Sequence, residues 1–128
     1  MKSARTFTVD ENILKALGAD TLKTIRVKGI QMEAEIAAKL EELESLVVQG
    51  ISSGGYAKAE VDGKHQILGL SFDPGYSEMD NRTKTCLLMT EAINDAIYKV
   101  NLTIEKEIST IKYKYTGEVI KNFNLNNE

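Results

Sequence analysis

The residues of this chain that could do chemistry are few, and their spacing limits them sharply. The turn Ser52-Ser53-Gly54-Gly55 offers backbone amides of the kind that cradle phosphate. It lacks the lysine and hydroxyl that close a P-loop, and no helical pattern starts behind it. A plain turn is the expectation. His65 is the only histidine. General acid–base work needs a carboxylate within reach, for which Asp62 and Glu60 are the candidates. No nucleophile completes the set, so His65 is expected to be an exposed strand residue. Cys86 falls on an apolar stripe and is expected in the core. One cysteine and one histidine cannot make an ordinary zinc site. Glu41 and Glu42 are neighbours on a helix and point in different directions. These residues predict no enzyme, no catalytic or metal site and no cofactor.

Charge is more informative. The chain carries a formal net charge of −3, yet its cations are not spread evenly. Residues 11–32 hold Lys15, Lys23, Arg26 and Lys28 against Glu11 and Asp20. Residues 33–46 hold Glu33, Glu35, Glu41, Glu42 and Glu44 against Lys39. Residues 106–121 hold Lys106, Lys112, Lys114 and Lys121 against Glu107 and Glu118. Two basic segments inside an acidic chain could form the electrostatic footprint of a polyanion-binding surface. Solubility patterning of exposed helices is the alternative.

The elements that must position these charges follow from periodicity. From Glu11 to Leu46, apolar residues at Leu22, Ile25, Met32, Ile36, Leu40, Leu43 and Leu46 mark one helical face. Gly18-Ala19-Asp20 reads as a stop followed by a new N-cap, with residues 11–17 as a separate short helix. Gly29 interrupts the stripe, either as a point of close approach for another helix or as a weak point. Val47–Ile51 has strand character. Tyr56–Asp62 alternates with Ala57, Ala59 and Val61 on one face. Asp62-Gly63 predicts a tight hairpin turn with positive φ at both central positions. Lys64–Phe72 then places Leu68, Leu70 and Phe72 on a shared face. A second long helix carries Cys86, Met89, Ile93, Ile97, Val100, Ile104, Ile108 and Ile111 as its stripe and runs to about Tyr113. The predicted class is α+β: long helix, three-stranded antiparallel meander, long helix. The helices are too long for the sheet to cover, so they extend beyond it in a dimer.

At 128 residues and 14.2 kDa the expectation is a single domain over 11–115, with a flexible tail at 1–10 and another at 116–128. One cysteine excludes an internal disulfide and fits a cytoplasmic address. The opening residues lack the apolar run of a signal peptide, and no stretch is apolar enough for a membrane span.

The order of elements, and several of their words, resemble the YbaB/EbfC family of nucleoid-associated proteins. LVVQG at 46–50 is similar to the family's entry into its first strand. GGYAKAEVDGKHQILGLSFDP resembles its hairpin and following strand, and EAINDA at 91–96 resembles a segment of its last helix. Ala57 and Ala59 stand where bulkier residues are usual, which predicts a thinner core. The resemblance implies a homodimer that binds double-stranded DNA in the nucleoid with little sequence specificity. It implies no catalysis, cofactor, membrane or small-molecule substrate. On this reading the DNA contacts are Lys15, Lys23, Arg26, Lys28, Lys106, Lys112, Lys114 and Lys121, which neutralise phosphates. Asn94 and Asp95 look like family-signature residues whose side chains bond to the sheet or to the dimer mate. The alternative function is a protein-interaction or scaffold module of the same fold that leaves DNA alone.

Overall fold

The computed structural model describes residues 18–126. In chain order they form α1 (Ala19–Leu43), β1 (Val47–Ile51), β2 (Ala57–Asp62), β3 (Ile67–Phe72) and α2 (Arg82–Asn126), with a 3₁₀ turn at Ser53–Gly55. They fall into two compact units. Residues 36–110 make a sheet unit, and residues 18–35 with 111–126 make a helical unit.

Gly18 starts α1. Its φ of 88° is left-handed, and its carbonyl accepts the Leu22 amide at 3.1 Å. The cap is therefore Gly18 and not Asp20, which lies in the first turn. The short helix expected over 11–17 lies outside the described residues. The helix ends at Leu43, three residues early. The amides of Glu44 and Leu46 reach back only three residues, to Glu41 and Leu43, which closes the helix as a tight turn before the β-branched Val47 and Val48.

Gly29 does not serve close packing among the described residues, because a Cβ added there meets none of them within 4 Å. Gly29→Ala is therefore expected to stabilise α1 by about 1 kcal/mol, read as a higher midpoint in thermal denaturation. A lower midpoint would show that another body approaches at this position.

The sheet is antiparallel in the order β1-β2-β3. On β2, Ala57, Ala59 and Val61 are buried and alternate with exposed Lys58 and Glu60. The link from β2 to β3 is not the expected Asp-Gly turn. Gly63 lies outside the positive-φ region, and His65, at φ 65°, is the left-handed residue of a loop over 63–66. The Asp62 carboxylate organises that loop by accepting the amides of Lys64 and Gln66, each at 2.9 Å. Gly63 is needed for space: an added Cβ would lie 1.7 Å from the Leu43 carbonyl oxygen. A register shift between Glu60 and Val61 then sets Ile67 opposite Val61. Ile67, Leu70 and Phe72 thus oppose the buried residues of β2, and Leu68, expected on that face, is displaced from it.

Asn81 caps α2. Its side chain accepts the Lys84 amide at 3.0 Å, and its carbonyl accepts that of Thr85. The helix continues past the expected end at Tyr113 to Asn126. Its core-facing row is Leu88, Ala92, Ala96 and Val100, one residue out of phase with the larger side chains at Met89, Ile93 and Ile97. Cys86, expected inside, is exposed. The small row faces the sheet because the sheet comes close: Gly50 of β1 has no room for a Cβ against Ala92 and Ala96. The core is compact, with alanines from both layers and Val61, Val100 and Leu88 between them. Tyr76 closes it, stacked on Phe72 with ring centroids 5.0 Å apart and bonded to Thr85 at 2.8 Å.

Candidate nucleic-acid interface

The helical unit holds six of the predicted contact residues: Lys23, Arg26, Lys28, Lys112, Lys114 and Lys121. Lys15 lies outside the described residues, and Lys106 belongs to the sheet unit, where it is exposed. Within the helical unit, side chains of α1 and α2 meet in antiparallel order. Lys28 pairs with Glu118 at 3.4 Å. The Glu35 carboxylate accepts Lys114 Nζ at 3.0 and 3.3 Å and the Tyr115 hydroxyl at 2.8 Å. The hydrogen bond to Glu35 raises the pKa of both Lys114 and Tyr115 above their ordinary values.

These pairs divide the cations into two classes. Lys28 and Lys114 are neutralised in place. Lys23, Arg26, Lys112 and Lys121 are exposed and have no acidic partner among the described residues. Lys39, in the acidic segment, is also spent: it reaches Glu42 at 3.2 Å and Glu107 at 3.6 Å, and bonding to Glu42 raises its pKa. A count of charge along the sequence treats all lysines alike, because it cannot see which carboxylate lies across the helix pair.

Exposed apolar side chains lie among the unpaired cations. Val27 and Ile30 accompany Lys23 and Arg26 on α1, and Tyr113 and Ile120 accompany Lys112 and Lys121 on α2. Sequence reading passed over them. Their signal was an apolar residue off the core-facing stripe, next to a lysine at Val27, Tyr113 and Ile120.

The sheet unit accounts for the other candidates. The turn at Ser53–Gly55 does present an amide and a hydroxyl to an anion, but the anion is the chain's own. Glu91 Oε1 accepts the Ser53 amide at 2.9 Å and its hydroxyl at 2.7 Å. Four residues on, Asp95 accepts the Ile51 amide at 2.9 Å. Four residues further, Lys99 pairs with Asp95 at 2.8 Å and donates to the Gln49 carbonyl at 3.3 Å. The row Glu91-Asp95-Lys99 therefore occupies the outer edge of β1. This supplies the sheet-bonding role expected of Asp95, whereas Asn94 is exposed. His65 is exposed in the loop, not in a strand. Its Nε2 lies 2.6 Å from Asn101 Oδ1, and the Asp62 carboxylate is engaged by backbone amides.

Hydrogen bonds from Ser53, side chain first, hold the Glu91 carboxyl below its ordinary value. Lys99, and then the Ile51 amide, do the same for Asp95. Depressed carboxyls stabilise the fold fully above their unfolded values, near pH 4, and lose that contribution as the pH falls through them. Thermal midpoints should therefore drop between about pH 5 and pH 3. Glu91→Gln with Asp95→Asn should lower the midpoint at pH 7 and flatten that acid limb. Parallel pH profiles for the variant and the parent chain would remove these carboxylates from the account.

A family model described as the YbaB/EbfC DNA-binding family matches residues 21–114. A protein of Chlorobium limicola named "Nucleoid-associated protein" is 32% identical over 108 residues, covering 83% of this chain and 92% of its own length. One of the same name from Rhodopseudomonas palustris is 27% identical over 81 residues, covering 63% and 76%. The protein TTE0040 of Caldanaerobacter subterraneus, also named as nucleoid-associated, is 30% identical over 81 residues, covering 63% and 73%.

Proposed function

The chain belongs to the YbaB/EbfC DNA-binding family, and from that premise we propose that it is a nucleoid protein binding double-stranded DNA as a homodimer with little sequence specificity. The observation that carries the reading is the set of unpaired cations Lys23, Arg26, Lys112 and Lys121 in one compact unit. Four exposed positive charges with no acidic partner among the described residues suit a phosphate backbone. Lysine and arginine on phosphates fix position without reading bases, which accounts for low sequence demand. The names of the relatives fit the same role. None of the described helices is long and apolar enough to cross a membrane.

Support for the homodimer comes from the sheet unit. The edge of β1 is occupied by side chains of α2, whereas β3 carries Ile67, Leu68 and Leu70 at 44–52% exposure. An edge strand with apolar side chains and unpaired backbone is a pairing surface, and a second copy supplies a matching strand.

The test is a titration of unrelated duplexes across a salt series, with mass in solution measured alongside. The expected result is a dimer that binds every duplex, with affinities spread over far less than the roughly thousand-fold or more of a sequence-specific protein. Its log K should fall linearly with log salt, by about 0.9 per phosphate engaged. A dimer that ignores DNA at low salt would overturn the reading. It would leave the scaffold module, to be pursued by capturing stoichiometric protein partners after nuclease treatment.

A further inference from the structure

On α2, Tyr113, Thr116, Gly117 and Ile120 stand at i, i+3, i+4 and i+7, which places them on one helical face. All four are exposed, and Tyr113, at 77%, is the most exposed of the large apolar side chains described. Lys112 and Lys121 border this face on either side, both exposed and without an acidic partner among the described residues. The face turns away from α1, whose contacts are made by Lys114, Tyr115 and Glu118. Gly117 adds a second, independent observation. A glycine inside a helix is unfavourable, and an added Cβ here would meet nothing within 4 Å, so nothing in the described chain requires it. Glycine on an outward helical face fits close approach of the helix backbone to an external body.

We propose that this face of α2 enters the major groove of the duplex and packs Tyr113 and Ile120 against thymine methyl groups, while Lys112 and Lys121 reach phosphates on the two groove walls. The inference rests on the DNA-binding reading and adds to it a source of affinity that does not depend on salt. The dimensions select the groove: a helix is about 10–12 Å across, the major groove about 12 Å wide and the minor groove about 6 Å. The charge pattern selects the occupant. Cations flanking an apolar strip suit a groove whose walls are anionic and whose floor carries methyl groups among polar base edges. Thymine offers the apolar group, and only in the major groove.

The experiment compares a thymine-rich duplex with the same duplex carrying deoxyuridine, which removes the methyl and keeps the pairing. The full chain should bind the deoxyuridine duplex about four-fold more weakly for each buried methyl removed, with its salt slope unchanged. Tyr113→Ala with Ile120→Ala should bind the thymine duplex at that weaker level, keep the parent's salt slope and no longer distinguish the two duplexes. Gly117→Ala should melt higher than the parent yet bind DNA several-fold more weakly. Equal binding of both duplexes by the parent chain overturns the proposal while leaving phosphate binding in place. Loss of dimer mass in the Tyr113/Ile120 variant also overturns it, by assigning the face to protein. No binding to either duplex at low salt defeats the DNA reading itself, an outcome distinct from the other two.

Discussion

Gly50→Ala is expected to destabilise the sheet unit by at least about 3 kcal/mol, at or beyond the upper end of ordinary overpacking costs. The added Cβ would lie 2.2 Å from the carbonyl oxygen of Ala92, 2.3 Å from the amide nitrogen of Ala96 and 2.7 Å from the Ala96 Cβ. Two of these atoms are helix backbone, which cannot rotate aside as the end of a long side chain can. Relief requires β1 and α2 to separate. That opens the core at Ala92 and Ala96 and lengthens the bonds from Ile51 and Ser53 to Asp95 and Glu91, which lie along the same seam. Small domains have only about 5–15 kcal/mol in total, so urea unfolding should shift to much lower denaturant or lose its folded baseline. Gly63→Ala should behave alike, through its 1.7 Å approach to the Leu43 carbonyl oxygen. Gly29→Ala, which meets none of the described residues, is the internal control and moves the other way. A midpoint for Gly50→Ala equal to that of the parent would mean that the close approach of β1 to α2 does not hold the unit together.

These glycines also show where sequence reading reaches its limit. Alternation over Ala57–Val61 identified β2 and its buried face, because a strand's side chains repeat every two residues whatever surrounds them. β1 and the α+β order were legible for the same local reason. The phase of α2 was legible only in part: Val100 and Ile111 of the expected stripe are buried, and Ile93, Ile97 and Ile104 pack against the core from its flank. Ile93 and Ile97 outweigh Ala92 and Ala96 on any hydrophobic scale, yet the alanines face the sheet because Gly50 brings β1 too close for larger groups. That constraint lies some forty residues away in the chain. The hairpin failed in a similar way. Asp62-Gly63 has the composition of a two-residue turn, but Gly63 is held by proximity to Leu43, and the left-handed position passes to His65. In the candidate interface the residue types were legible and the pairing was not. Nothing local in Lys28 or Lys114 announces Glu118 or Glu35.

That pairing is what makes the proposed DNA surface testable by charge. Lys23→Gln, Arg26→Gln, Lys112→Gln and Lys121→Gln together should lower the salt slope of binding by roughly one for each phosphate no longer neutralised. Over a change from about 50 to 200 mM salt, four neutralised phosphates for each protomer engaged account for roughly a hundred-fold loss of affinity in the parent chain that the variant no longer shows. Glutamine keeps helix propensity close to that of lysine, so folding should be preserved and can be checked by melting. Lys28→Gln with Lys114→Gln should act differently. Each of these lysines already faces a carboxylate, at 3.4 Å for Glu118 and 3.0 Å for Glu35. Drawing either one to a phosphate would leave its acid facing the same polyanion. Their slope should therefore stay near the parent's. If both sets lowered the slope by the same amount per residue, net charge alone would govern binding and the division into paired and unpaired cations would carry no function. If neither set changed it, the phosphates are neutralised elsewhere. If only the unpaired set does, the helical unit works as a surface whose acids select which of its cations reach the DNA.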